Sequence, residues 1–229
     1  MKKIKISLII NIIIVLLVIM TSIFMFTGFT FMKNNTLLEA SKIEMFKFYT
    51  VDSNILIGIA SLLLAINEIK LLNKKIKEIP IFIYILKLIA TSGITLTFIT
   101  TAFFLAPQYG IYAMYNNNNL FFHLIIPILS IITYVIYEKY DNKYKYAPLG
   151  MLPMFIYSIY YTINVILHLN NGGLSFKYDF YGFLQGNINN IYIVIPFIYF
   201  VTYLISLLLI FLNKNITIYI KNNIYSYLK

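Results

Sequence analysis

The chain has 229 residues, 60% of them hydrophobic and 11% charged, with a mean hydropathy of +0.81. A water-soluble domain carries about a quarter charged residues, so this composition excludes a soluble fold and makes the bilayer part of the solvent. The absence of Cys excludes disulfides and thiolate chemistry. The net charge of +10 is carried wholly by Lys, in short clusters between apolar runs, unlike the single basic, aromatic-laced patch of a nucleic-acid binder.

Six runs, taken in chain order, reach the roughly 20 apolar residues that a crossing requires. The first, 6–29, follows Lys2, Lys3 and Lys5 and is nearly free of polar residues after Asn11. It reads as an anchor outside the main bundle, with a cleaved signal peptide as the alternative reading of the same charges. The second, 49–72, carries Thr50, Ser53, Asn54 and Ser61 near one helical stripe. The third, 81–105, contributes Lys87, Thr91 and Thr95, and Lys87 is expected to snorkel back to the interface. The fourth, 120–137, begins just after Asn119 and places His123, Pro127 and Ser130 on a stripe. Pro127 lacks the N–H that would bond to the His123 carbonyl, which predicts a kink there. The fifth, 149–168, offers Tyr157, Tyr161, Asn164 and His168; the sixth, 191–212, offers Tyr192, Pro196, Tyr199, Tyr203 and Ser206. The tail, 213–229, is basic, apolar and Tyr-rich, and is expected to lie along the inner interface.

The predicted fold class is all-α: one polytopic membrane domain over 1–212 with about six transmembrane helices. Thirteen lysines fall on the side of the N-terminus and four, Lys33, Lys42, Lys47 and Lys177, on the other. The excess places both termini in the cytoplasm and the bundle in the cell (plasma) membrane.

Spans 2 to 6 each carry a polar-capable stripe, which predicts a pocket walled by five helices. Thr50 and His123 both stand near the outer ends of inward-running helices, and His168 ends span 5 at the same depth. A Thr hydroxyl becomes a nucleophile when a neutral His takes its proton. The positive end of a helix dipole helps keep such a His neutral, and free N–H groups there can hold an oxyanion. Thr50 and His123 are therefore the candidate catalytic pair, with Ser53, Asn54, Asn119, Asn164 and His168 as candidate pocket residues. No metal or cofactor is implied. The same residues also have plainer roles: Thr50 and Asn119 as helix caps, the small hydroxyls as packing surface, and His123 as an interfacial histidine.

Phe48-Tyr49-Thr50-Val51-Asp52-Ser53-Asn54 opens span 2, and Asn119-Leu120-Phe121-Phe122-His123 precedes Pro127 in span 4. With Tyr146-Ala147-Pro148 and Phe176-Lys177-Tyr178-Asp179-Phe180, these stretches resemble the androgen-induced and androgen-dependent membrane threonine hydrolases and their bacterial six-span relatives. The resemblance covers roughly residues 1–212. It implies an intramembrane hydrolase of lipid-like esters, notably fatty acid esters of hydroxy fatty acids, with Thr50 as nucleophile and His123 as base. The Asn-rich stretch 115–119 departs from the pattern. Its implied partners are membrane lipids, with no nucleic acid. Two other classes stay open: a six-span substrate-capturing transport subunit, for which 90–97 offers a small-residue docking face, and a structural or sensory membrane protein without chemistry.

Overall fold

The computed structural model describes residues 1–32, 41–138, 143–169 and 177–226; Lys33, Lys139, Phe176 and Lys229 lie outside them. Six helices are long and apolar enough to cross a membrane: α1 (Lys2–Thr27), α2 (Tyr49–Leu72), α3 (Ile81–Tyr109), α4 (Asn118–Tyr137), α5 (Tyr144–Leu167) and α6 (Ile188–Ile216). No strand occurs among the described residues. The chain is thus an all-α, multi-pass membrane protein, as its composition requires. Lateral contacts give alternating directions. The end of α1 meets the start of α4 through Asn117 and Asn118, while Lys3 and Asn213 both bond to the last turns of α4 at the opposite end.

Helix ends depart from the expected bounds for local reasons. Gly28, in the left-handed region at φ 73°, closes α1 after Thr27. Pro148 lies within the 3-10 turn, Tyr144–Met151, that opens α5 ahead of the expected start. No Pro or Gly follows Pro196, and the helix continues beyond the α6 span to Ser226, so 213–226 joins the span without a break. Two wide π-helical turns, Thr101–Leu105 and Phe121–Ile125, each end two residues before a proline, Pro107 and Pro127. Each proline removes the donor that would close an α turn on the residue four back, and the backbone widens to accommodate its ring. The expected kink at His123 is therefore a π turn with His123 at its middle.

Span 1 is not an outlying anchor. Its buried residues, Ser7, Asn11, Ile14, Val18, Thr21 and Met25, recur at three and four residues and form one stripe. Gly58 of α2 makes room for it: a Cβ on Gly58 would stand 2.9 Å from Val18 Cγ1. Lipid tails are as apolar as Leu, so close packing and polar contacts, and not burial from water, hold such helices together. α3 is the central helix, buried continuously from Ala90 through Thr97. The small-residue face considered for docking an energising partner is consumed inside the bundle.

Lys87 does not snorkel. It is fully buried, donating to Asn11 Oδ1 and Ser61 Oγ at 2.7 Å each, with Glu138 Oε1 at 3.6 Å. Snorkelling fails because polar partners from α1, α2 and α4 meet the ammonium where it stands. Asn11, which read as the last polar residue of a greasy span, is the α1 contribution to that cluster.

Candidate functional site

Phe48 leaves the helical region, and its carbonyl accepts the first amides of α2, Val51 at 3.0 Å and Asp52 at 3.4 Å. Thr50 therefore stands in the first turn. Its carbonyl accepts from Ser53 Oγ at 3.1 Å and Asn54 Nδ2 at 2.7 Å, and Ser53 Oγ also pairs with Thr97 Oγ1 at 2.9 Å. The Thr50 side chain lines a cavity of about 30 Å³ with Thr97, Thr100 and Thr101 of α3 and Tyr181 and Phe183 of the 177–187 loop. Such a space admits water but not an acyl chain.

The neighbouring groove is of a different kind. It measures about 460 Å³ between α2 and α5, and Phe46, Tyr49, Leu56, Ile156 and Tyr160 form its apolar walls, with Asp52 and Ser53 on its α2 side. Tyr49 separates the two spaces and lines both.

His123 is buried on α4, its Nδ1 2.7 Å from the Met114 carbonyl and Tyr115 edge-on to its ring. A carbonyl can only accept, so Nδ1 carries the proton and Nε2 keeps a lone pair when the ring is neutral. Asn54 joins the two candidate catalytic turns: its Nδ2 donates to the Thr50 carbonyl and, at 3.1 Å, to the carbonyl of Phe122, the residue before His123. The cavity lined by Thr50 nevertheless takes no wall from Asn54, Asn119, His123, Asn164 or His168. One common pocket for the whole candidate set is not what the fold builds.

The remaining candidates organise the surroundings. Asn164 Nδ2 donates to the Tyr178 carbonyl at 3.2 Å, and His168, fixed by the Asn164 carbonyl at 2.8 Å, stacks on the Tyr178 ring at 3.8 Å. Asp179 accepts from the Tyr161 hydroxyl and, at 3.1 Å, from the Leu184 amide. Asn164 and His168 thus anchor the loop that delivers Tyr181 and Phe183. Asn119 lines a second cavity, about 240 Å³, with Met25, Gly28, Phe29 and Asn118. The Asn-rich stretch 115–119 has a structural role. Asn117 accepts the amides of Phe31 and Met32 at 3.0 and 2.7 Å and donates to the Met32 carbonyl at 3.2 Å, while Asn118 donates to the Phe29 carbonyl. Asn117→Ala removes three bonds, each worth about 1 kcal/mol. Hydrogen exchange at the Phe31 and Met32 amides is expected to accelerate markedly while amides in α3 stay protected; unchanged exchange would dismiss the clamp.

Two features escaped the sequence reading. Tyr181 is buried against the start of α2, where its hydroxyl faces the Thr50 side chain, the Thr50 and Tyr49 amides and the Tyr157 hydroxyl without closing a hydrogen bond. Burial pushes its phenol up to about 12, against the pull of those donors, so it stays protonated at neutral pH. No periodicity marks one Tyr among 21 in a connecting loop. The second is the Lys87 cluster, for which a signal existed: Glu68 and Lys87 are ionisable residues inside spans, and such residues are costly unless they function or pair. No family model, no curated protein and no solved structure matches this chain.

Proposed function

We propose that the chain is an intramembrane hydrolase of lipid-like esters, with Thr50 as nucleophile and His123 as general base, in the cell membrane with both termini cytoplasmic and the site in the outer half. The observation that carries this reading is the Asn54 amide, which ties the Thr50 turn to the residue preceding His123. In the proposed reaction Thr50 Oγ attacks the ester carbonyl carbon and its proton passes to His123 Nε2. The tetrahedral oxyanion collapses, the C–O bond to the alcohol breaks, and the alcohol leaves with the proton from His123. Water then attacks the acyl-threonine, giving its proton to His123, and the carboxylic acid is released as Thr50 recovers its proton. Tyr181, protonated and facing Thr50, is the side-chain donor we assign to the developing oxyanion. The groove beside Tyr49 provides an apolar lane for the acyl chain, and the small cavity holds the water.

The test is covalent labelling of the purified chain by an activated alkyl phosphonate, with the modified residue mapped by mass spectrometry. Label on the 48–54 peptide at Thr50 supports the reading; label on Ser53 or Tyr181 reassigns the nucleophile. A transport subunit is the second reading, favoured by the buried ionic cluster around Lys87.

Orientation has its own check. Reporters fused after Lys75 and Lys143 are expected to read cytoplasmic and one inserted at Asn117 external, because of the lysine asymmetry. A cytoplasmic signal at Asn117 would invert the bundle and put Thr50 in the inner leaflet.

A further inference from the structure

Five helices converge on an ionic cluster at the end of the bundle opposite Thr50, which the hydrolase reading does not use. Lys87 of α3 is at its centre, bonded to Asn11 of α1 and Ser61 of α2. Two carboxyl groups face it: Glu138, at the end of α4, and Glu68, in the last turns of α2, within electrostatic reach of Lys87, Glu138, Ser7 and Asn11. Tyr84 of α3 faces both carboxyls. Asn213 of α6 ties the backbone in place, donating to the Tyr134 and Glu138 carbonyls at 2.7 and 2.8 Å. A π turn, Thr133–Tyr137, aims Glu138, whose amide reaches back to the Thr133 carbonyl. Lys3, half-buried at the mouth, donates to the Ile136 carbonyl.

Among the described residues the charges inside do not balance. Glu68 is 3% exposed, Glu138 4% and Lys87 0%, so two carboxyls share one buried ammonium. Three of their oxygens, Glu68 Oε2 and both of Glu138, close no hydrogen bond, the Lys87 ammonium standing 3.6 Å from Glu138 Oε1. A surplus negative charge in this setting is unfavourable because burial strips its hydration, and the remedy is to take up one cation. A hard metal ion takes roughly six oxygens. Among the described residues the cluster offers fewer than that: Lys87 already occupies Asn11 Oδ1 and Ser61 Oγ and stands 3.6 Å from Glu138 Oε1, which leaves Glu68 Oε2 and Glu138 Oε2. The cation that fits is the proton, which needs one oxygen and supplies the missing donor to another.

We propose that Glu68 and Glu138 bind one exchangeable proton between them, with Lys87 as the fixed counter-charge, and that this cluster is a proton-binding site opening toward the end of the bundle that carries the N-terminus. Lys87 lies six residues into α3, about 9 Å of helix rise from that end, so the cluster lies close to it. The site does not rest on the hydrolase reading: it keeps its proton whether or not Thr50 reacts with an ester.

Infrared difference spectroscopy of the full chain in lipid nanodiscs at neutral pH tests this through the C=O stretch of protonated carboxyls. Charge balance sets each expected result. Glu68→Gln and Glu138→Gln each lose one carboxyl equivalent from the wild-type band, because the remaining Lys–Glu pair is neutral. Lys87→Met gains one, because both carboxyls must then be protonated. Lys3→Gln matches the wild type. The wild-type band shifts on transfer to D2O. A band unchanged in both Glu→Gln variants overturns the proposal, as does a change in Lys3→Gln or a band that ignores D2O. Loss of the band on adding sodium chloride at constant pH also overturns it, since the occupant would be a metal ion. If Lys87→Met does not fold, the two Glu→Gln variants and the D2O shift decide.

Discussion

Thr50→Ala is expected to abolish phosphonate labelling, lowering the rate by on the order of a thousandfold or more, because it removes the attacking oxygen. His123→Ala is expected to lose nearly as much by removing the base. The double variant should lose little beyond either one, since groups acting as a unit fail together. Thr50→Ser keeps a hydroxyl and retains part of the rate. Tyr181→Phe is expected to cost roughly a hundredfold, the order seen when one oxyanion donor is removed. His168→Ala should cost less than any of these, because His168 stacks on Tyr178 and acts only through the loop. Labelling that persists in Thr50→Ala would remove Thr50 from the chemistry and leave Ser53 as the next hydroxyl on the same turn. A transport subunit would show no labelling dependent on either residue.

Gly150→Val is expected to cause the largest loss of stability from one substitution. A Cβ at Gly150 would stand 2.5 Å from Ser206 Oγ, 2.6 Å from Ser206 Cβ and 2.8 Å from Ser92 Oγ. These atoms belong to α6 and α3, so the start of α5 is held against two helices at once and cannot retreat from one without striking the other. Overpacking of this kind costs about 1–3 kcal/mol, and Val exceeds Ala because its methyls extend the clash. Thermal unfolding of the purified chain, followed by size-exclusion chromatography, should show a lower midpoint for Gly150→Ala and a larger loss of monodisperse protein for Gly150→Val. Ser206→Gly should restore part of the Gly150→Ala loss by vacating the nearest atoms. Equal midpoints for wild type and Gly150→Ala would refute this close approach of the three helices.

Composition and run length alone determined that the chain lives in a bilayer and crosses it with six helices, because an apolar run of about 20 residues spans hydrocarbon as a helix, which satisfies its own backbone polar groups. Pro127 likewise announced a break in α4, since a missing N–H is a local, covalent fact. The stripe on α2 was legible to the extent that Ser53, Asn54 and Ser61 all turn inward and are buried. Tertiary structure decided what helical period cannot express: which stripes face one another, and at what depth. Asn11 and Lys87 looked like a stray polar residue and an interfacial cation until packing put them 2.7 Å apart, 76 positions away along the chain. Asn164 and His168 lie on the expected face, yet they grip Tyr178 because a loop of unpatterned sequence folds back over the bundle. Tyr181 reaches Thr50 by the same route. Helical spacing reports the direction of a side chain around one axis, whereas a site is made where several axes meet, and that is set by close contacts such as Gly58 against Val18 and Gly150 against Ser206.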